Sequence, residues 1–338
     1  MKQQKTIYLV LVVLVMFSAC KRNPLKVDIS TVKKEVEVIH FGEELFDLKG
    51  KDTLEVLADL SNAYPDFFNL FTYRIIRIGG IEDEQFPGLM KIFINDSLIQ
   101  EVKVKTDSVF GDRQDLDKKL KKAFKYYSFH FPNKTLPSIY TYISGFNQSL
   151  VTAENTIGIS LDKYLGRDCN YYNQLSTTPR YKVLNMHKER IVPEVAYAWG
   201  ITEFEDPNAT TNLLDNIIQK GKVMYLVDAM MPTLQDSLKI GYTTQQLEWC
   251  RMNEAAMWTT LIEKKMLYSN KRMDIIRYVN DAPTTSGFPL ESPGRTGVWI
   301  GWQIVRQYME KHPEVRLPEL MANHNFQQIL NESEYDPG

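Results

Sequence analysis

The sequence predicts an α+β fold, mainly helical, with a small central sheet that is antiparallel or mixed. Apolar residues recur at helical spacing through the first 130 residues and again after Pro179, whereas 138–161 switches to short β-rich runs around a Gly-Phe-Asn turn. No internal repeat, low-complexity tract or composition shift divides the chain. A chain of 338 residues can bury about 75% of its unfolded surface in one core or in two intimate ones. The expectation is a single domain over 36–338, helical to about 135, with the sheet at about 138–165 and helices again at about 184–330.

Ahead of that domain, Lys2 and Lys5 precede an apolar run over 7–17 and then Ser18-Ala19-Cys20. A basic start, a short apolar stretch and small residues at the cut describe an export signal, and the run is too short to span a bilayer. Phe17-Ser18-Ala19-Cys20 resembles a bacterial lipobox, with Phe17 where Leu is commoner. The resemblance implies removal of 1–19 and acylation of Cys20 as the new N-terminus, followed by a lipidated tether over 20–35. The rival readings are an ordinary cleaved signal with an incidental cysteine, or an uncleaved anchor helix. Lys21 and Arg22 follow Cys20, where some related lipoproteins carry the acidic residues that send them to the cell surface. The expected address is the cell envelope, facing the periplasm, with the outer membrane favoured and the inner membrane allowed.

Along the domain, alternation in Val36, Val38 and Phe41 predicts a strand. Leu54, Val56, Leu57, Leu60 and Ala63 predict a helix that stops near Tyr64, because Pro65 pushes the preceding residue out of helical geometry. Helices are expected at about 88–104 and 112–130. The run Lys118, Lys119, Lys121, Lys122 and Lys125 in the latter alternates with Leu120, Ala123, Phe124 and Tyr127, the pattern of a solvated helix face, with a membrane-surface contact as the rival. Ile139, Tyr140, Tyr142 and Ile143, then 149–151 and 156–161, supply strands separated by the Gly145-Phe146-Asn147 turn. Helices follow at roughly 184–199, 210–229, 243–267, 271–279 and 297–311, with the Pro- and Gly-rich stretch 282–294 ahead of the last.

The net charge of −2, or −4 without 1–19, and the absence of a basic stripe argue against nucleic acid as a partner. Without Cys20 only Cys169 and Cys250 remain, free to pair or to stay buried and reduced, and with no CxxC spacing they do not suggest a metal site. The zinc-peptidase signature HExxH is missing: no two of His40, His130, His187, His312 and His324 lie four apart. Segment 190–199 nevertheless has the outline of that helix, with Pro193 and Tyr197 at the histidine positions and Glu194 in the acid's place. Lys220, in 217–225, then stands where glutamate-type zinc peptidases carry their third ligand. Proline offers no donor, tyrosine is a poor zinc ligand and lysine is cationic, so these residues would not hold zinc. Taken singly, each has a plainer reading: Val192, Val195, Ala196 and Trp199 are at core spacing, and Pro193 suits the first turn of a helix.

Several stretches together resemble the gliding-motility lipoprotein B (GldB) family: Ala63-Tyr64-Pro65-Asp66-Phe67-Phe68, Ile143-Ser144-Gly145-Phe146-Asn147, the Ile-Gly-Ile-Ser-Leu-Asp-Lys-Tyr-Leu-Gly run over 157–166, segment 217–232, and the glycine-spaced segment 292–305. That family is similar to predicted gluzincin-type zinc peptidases but generally lacks the metal ligands. The resemblance implies a pseudo-peptidase with no catalytic residue, no metal and no cofactor. Its implied work is to support gliding and the associated secretion machinery by binding other envelope proteins, anchored to the membrane through Cys20. Gly294, Gly297 and Gly301 permit a close approach, and Arg295 beside them could take an anionic group, with helix packing by small residues as the plainer account. Trp199, Trp249, Trp258, Trp299 and Trp302 read first as core. The rival functions are an envelope hydrolase using Glu194 with another carboxylate such as Asp215, and an extracytoplasmic binder of a small ligand; the first lacks a Gly-x-Ser-x-Gly nucleophile motif.

Overall fold

The computed structural model describes residues 23–47, 52–175, 178–206 and 208–338; Cys20, the expected signal at 1–19, Lys21 and Arg22 lie outside them. From Asn23 onward the segment expected as a tether lies along the domain: Asn23 Nδ2 donates to the Pro232 carbonyl at 2.9 Å, and Leu25 packs on the main core. It leads into β1 (Val38–Ile39). The strand stops there, and Phe41, expected within it, opens α1 (Phe41–Phe46). Its ring is fully buried in an aromatic cluster, 5.0 Å from Phe67 and 5.1 Å from Phe71, and that burial overrides the short-range alternation.

Helix α2 (Thr53–Ala63) ends at Tyr64 as expected, but the chain turns helical again at once through α3 (Pro65–Asn69), with Pro65 at its first position, and a π-helical stretch, Leu70–Ile75. The helix expected at 88–104 is two, α4 (Phe86–Asn95) and α5 (Ser97–Phe110), because Asp96 between them is extended and its side chain accepts from the Ile99 amide at 3.0 Å. Helix α6 (Gln114–His130) buries Leu120, Ala123, Phe124 and Tyr127, and its lysine face is solvated, with Lys119 on Asp115 and Lys125 on Glu35.

The sheet is mixed. Strands β2 (Ser138–Tyr142), β3 (Leu150–Ala153) and β4 (Thr156–Ser160) join β1 in the order β1-β2-β4-β3, with β1–β2 and β2–β4 parallel and β3–β4 an antiparallel hairpin. The parallel pairs are covered on both faces. Tyr140 and Tyr142 enter the aromatic cluster, with Phe67 stacked on Tyr140 at 4.1 Å, while Ile139, Ile157 and Ile159 enter the main core.

After the sheet come two 3-10 turns, Leu161–Tyr164 and Asn170–Gln174, then α7 (Arg180–Val183), α8 (Ile191–Phe204), α9 (Leu213–Met230), α10 (Asp236–Ile240), α11 (Thr244–Met252), α12 (Glu254–Glu263), α13 (Arg272–Val279), α14 (Thr296–Lys311), α15 (Leu317–Ala322) and α16 (Phe326–Ser333). The helix expected at 184–199 starts later and ends later, at Phe204, and the one expected at 243–267 breaks at Asn253. Helices α9 and α14 cross backbone to backbone at Gly221 and Gly301. Beside them Asp228 accepts from Lys239 at 2.7 Å, from the Trp302 indole at 2.8 Å and from Arg306 at 2.7 and 2.9 Å, tying α9, α10 and α14 together. Trp199, Trp258, Trp299 and Trp302 are buried core residues and Trp249 packs against them; Cys169 and Cys250 are both buried and unpaired.

Candidate functional site

A cavity of about 580 Å³ opens between the turn after β2, the start of α8 and the loop preceding α14. Its first wall is built by Asp162. This buried carboxylate accepts from the Ser144 amide at 3.2 Å and the Phe146 amide at 2.7 Å, and also from the Ser160 hydroxyl. Those bonds hold Gly145 and Phe146 in left-handed geometry and bring Phe146 and Asn147 to the rim. The next residue, Lys163, lines the cavity and donates to the Phe146 carbonyl at 3.2 Å and Thr178 Oγ1 at 3.4 Å. Tyr172 fastens this turn from behind, donating to the Asp162 carbonyl at 2.9 Å and accepting from the Leu165 amide at 2.8 Å.

The floor is the first half of α8. Glu194 Oε2 accepts from the Tyr164 hydroxyl at 2.6 Å, and Oε1 accepts from Arg190 Nη2 at 3.2 Å. Burial, and then the Glu194 charge, push the Tyr164 phenol well above its ordinary range. Arg190 is in turn fixed by the carbonyls of Leu238 and Lys239, and burial lowers its pKa from the usual arginine value. Tyr197, half-buried, lies one turn beyond Pro193, and burial pushes its phenol up to about 12. Pro193 is the third residue of α8 and buried, so it serves the helix start.

The opposite wall comes from 281–295. Arg295, in left-handed geometry, places Nε 3.0 Å from Asp281 and donates from Nη2 to the Ile240 carbonyl at 2.5 Å. Tyr242 donates to the Gly294 carbonyl at 2.6 Å. A side chain at Gly294 would overlap the Ala282 carbonyl, which is what brings Arg295 this close. Gly297 does different work: a Cβ there would lie 2.8 Å from the Tyr278 carbonyl, so it serves helix packing, as does Gly301.

The structure therefore brings Glu194, Tyr197, Gly294 and Arg295 into one cavity, and it leaves Lys220 out. The grouping of Lys220 with Glu194 and Tyr197 expected from the peptidase outline is corrected: its Nζ donates to both oxygens of Glu205, at 2.9 Å each, beyond the far end of α8. Helices α8 and α9 run antiparallel, with Gln219 donating to the Phe204 carbonyl at 2.8 Å and Gly200 packed on Val223 and Leu226, so Met224 rather than Lys220 reaches the cavity. Asp215 is also elsewhere, in the capping box that starts α9, accepting from the Thr211 amide at 2.9 Å. Among the described residues no three His, Cys, Asp or Glu side chains converge as a metal ion would require, and no helix is long and apolar enough to cross a membrane. Lys163, Tyr164 and Arg190 were not legible as site residues, although Tyr164 and the Asp162 that positions its neighbours stand in the Leu-Asp-Lys-Tyr-Leu-Gly run that marked the sequence.

Residues 22–337 match the family model described as gliding motility protein GldB. No curated protein and no solved structure matches the chain.

Proposed function

The chain belongs to the gliding motility protein GldB family, and from that premise we propose that it is a non-enzymatic envelope lipoprotein that supports gliding and its associated secretion machinery through binding. The observation that carries this reading is the state of Glu194. Both of its oxygens are engaged, one by Tyr164 and one by Arg190, inside a cavity with room for a ligand. Each oxygen is tied to a side chain of the cavity wall, so the carboxylate serves to position Tyr164 and Arg190. The cavity is then a recognition surface.

Acylation of Cys20, which the lipobox-like sequence supports, would hold the domain at a defined face. Cys20 is three residues from Asn23, so it reaches at most about 11 Å from the point where Asn23 meets Pro232. Beside that point runs a groove of about 1070 Å³ lined by Leu25, Phe129, Pro232, Leu234, Met309 and Val315. This face turns to the bilayer, and Lys21 and Arg22 favour the periplasmic side.

Complementation of a null strain tests the reading. Glu194→Gln, which keeps the side-chain shape and one oxygen for Arg190 while an amide nitrogen replaces the other beside Tyr164, is expected to restore gliding to the wild-type level, whereas Cys20→Ser, which removes the acylated atom, is expected to fail. Loss of gliding in Glu194→Gln protein that accumulates normally in the envelope would overturn it and point to acid–base chemistry at this carboxylate.

A further inference from the structure

We propose that the Glu194 cavity takes a small ligand by an anionic group, a carboxylate or a phosphate, held between Lys163, Lys182, Arg190 and Arg295. The proposal rests on the reading of this cavity as a binding site.

The walls carry five basic side chains, Lys163, Lys182, Arg190, Lys239 and Arg295, against two acids, Glu194 and Asp281. Three of the five are matched at contact: Lys239 by Asp228 at 2.7 Å, Arg190 by Glu194 at 3.2 Å and Arg295 by Asp281 at 3.0 Å. Lys163 and Lys182 are left over. Lys163 is only 7% exposed, yet its ammonium donates to two neutral oxygens, the Phe146 carbonyl and Thr178 Oγ1. Burial lowers its pKa; the Asp162 charge behind it works in the opposite sense, and the like charge of Lys182 lowers it further. Asp162 itself faces the 144–146 turn, where it is taken up by two backbone amides and the Ser160 hydroxyl. A buried ammonium without a contacting carboxylate is costly, and an incoming anion relieves that cost.

A second observation concerns Arg190. Arg190 lines the cavity and is 5% exposed; Nη1 donates to the Leu238 and Lys239 carbonyls, while Nη2, with two hydrogens, makes one bond, to Glu194. The charge of Arg295 bears on it from the neighbouring wall and makes its protonated form less favourable. Both guanidiniums line this cavity, and an anion bound between them offsets their mutual repulsion. Each acid is already paired with an arginine, Glu194 with Arg190 and Asp281 with Arg295, so a cationic ligand finds no surplus negative charge here. The volume of about 580 Å³ falls within the range for small-molecule sites, and Phe146, Leu150, Tyr181 and Pro283 supply apolar surface for the body of the ligand.

The test uses purified mature protein in low salt with two pairs of probes: phenyl phosphate against phenol, and acetyl-Ala-Ala with a free carboxylate against its amide. Calorimetric titration is expected to detect one charged probe and neither neutral partner, with affinity falling as salt rises. Lys182→Gln, an exposed change that leaves the core intact, and Lys163→Gln are each expected to weaken binding roughly tenfold, about 1.4 kcal/mol. Binding of neither charged probe, equal binding of a neutral partner, or unchanged affinity in Lys182→Gln would overturn the proposal. Nuclear magnetic resonance of the recovered probe separates this from the reading beneath it: a probe bound and returned intact supports both, while one bound and hydrolysed supports anion recognition and removes the non-enzymatic reading.

Discussion

Lys222 shows at the scale of one residue what burial does to a charge. It lies on α9, 0% exposed, donating to the Asn323 carbonyl at 2.8 Å and standing over the Phe326 ring at 5.3 Å. Desolvation brings its pKa down to about 8. Between pH 8 and the unfolded lysine value near 10.5 the unfolded chain binds the extra proton, so stability contributed here rises with pH across that window. Below pH 8 the penalty is constant, on the order of 3 kcal/mol. Lys222→Met is therefore expected to raise the urea midpoint at pH 7, and its advantage to shrink toward pH 10; a destabilised variant at pH 7 would show that the bond to Asn323 outweighs desolvation. Nothing in the sequence around Lys222 marks it as buried. The residues that were legible, Glu194, Tyr197 and Arg295, stood out by chemical type in a recognisable setting. Lys220 failed because its position was counted along the chain, whereas the antiparallel packing of α8 on α9 decides which residue faces the cavity.

Among elements, periodicity located nearly every long helix and missed their breaks. Helix α2 appears with the boundaries that its apolar spacing gives, while α4 and α5 are separated by one capping aspartate and α11 and α12 by Asn253. A cap is a single-residue event that a window over several turns averages away. The pair α9 and α14 depends on a feature visible only in three dimensions. A methyl group at Gly301 would overlap the Ile217 carbonyl, and one at Gly221 would overlap the Gly301 carbonyl. Backbone cannot retreat as a side-chain tip can, so Gly301→Ala is expected to destabilise by about 3 kcal/mol, at the upper end for overpacking. Urea unfolding measures it; a loss below about 0.5 kcal/mol, the usual bound for a change that touches nothing, would show that the helices separate freely.

For the whole molecule, the proposed anchoring through Cys20 makes a prediction about which face meets the membrane. A bimane on Phe129→Cys, beside the groove at Asn23, is expected to be quenched by brominated lipid more strongly than the same label on Leu290→Cys in the loop bordering the cavity. The native Cys169 and Cys250 are buried and do not compete for label. Equal quenching, in protein whose Cys20 incorporates palmitate, would overturn the orientation while leaving the anchor standing.

The sequence by itself determined the α+β class, the positions of most helices and strands, and the chemical types of Glu194, Tyr197 and Arg295, because local periodicity and residue chemistry are written along the chain. Only the tertiary structure decided that the sheet is mixed, that Phe41 leaves the strand for an aromatic core, that Met224 and not Lys220 reaches the Glu194 cavity, and that Lys163 and Arg190 are buried at that one cavity. Those outcomes depend on which faces of distant segments meet and on how much water they exclude.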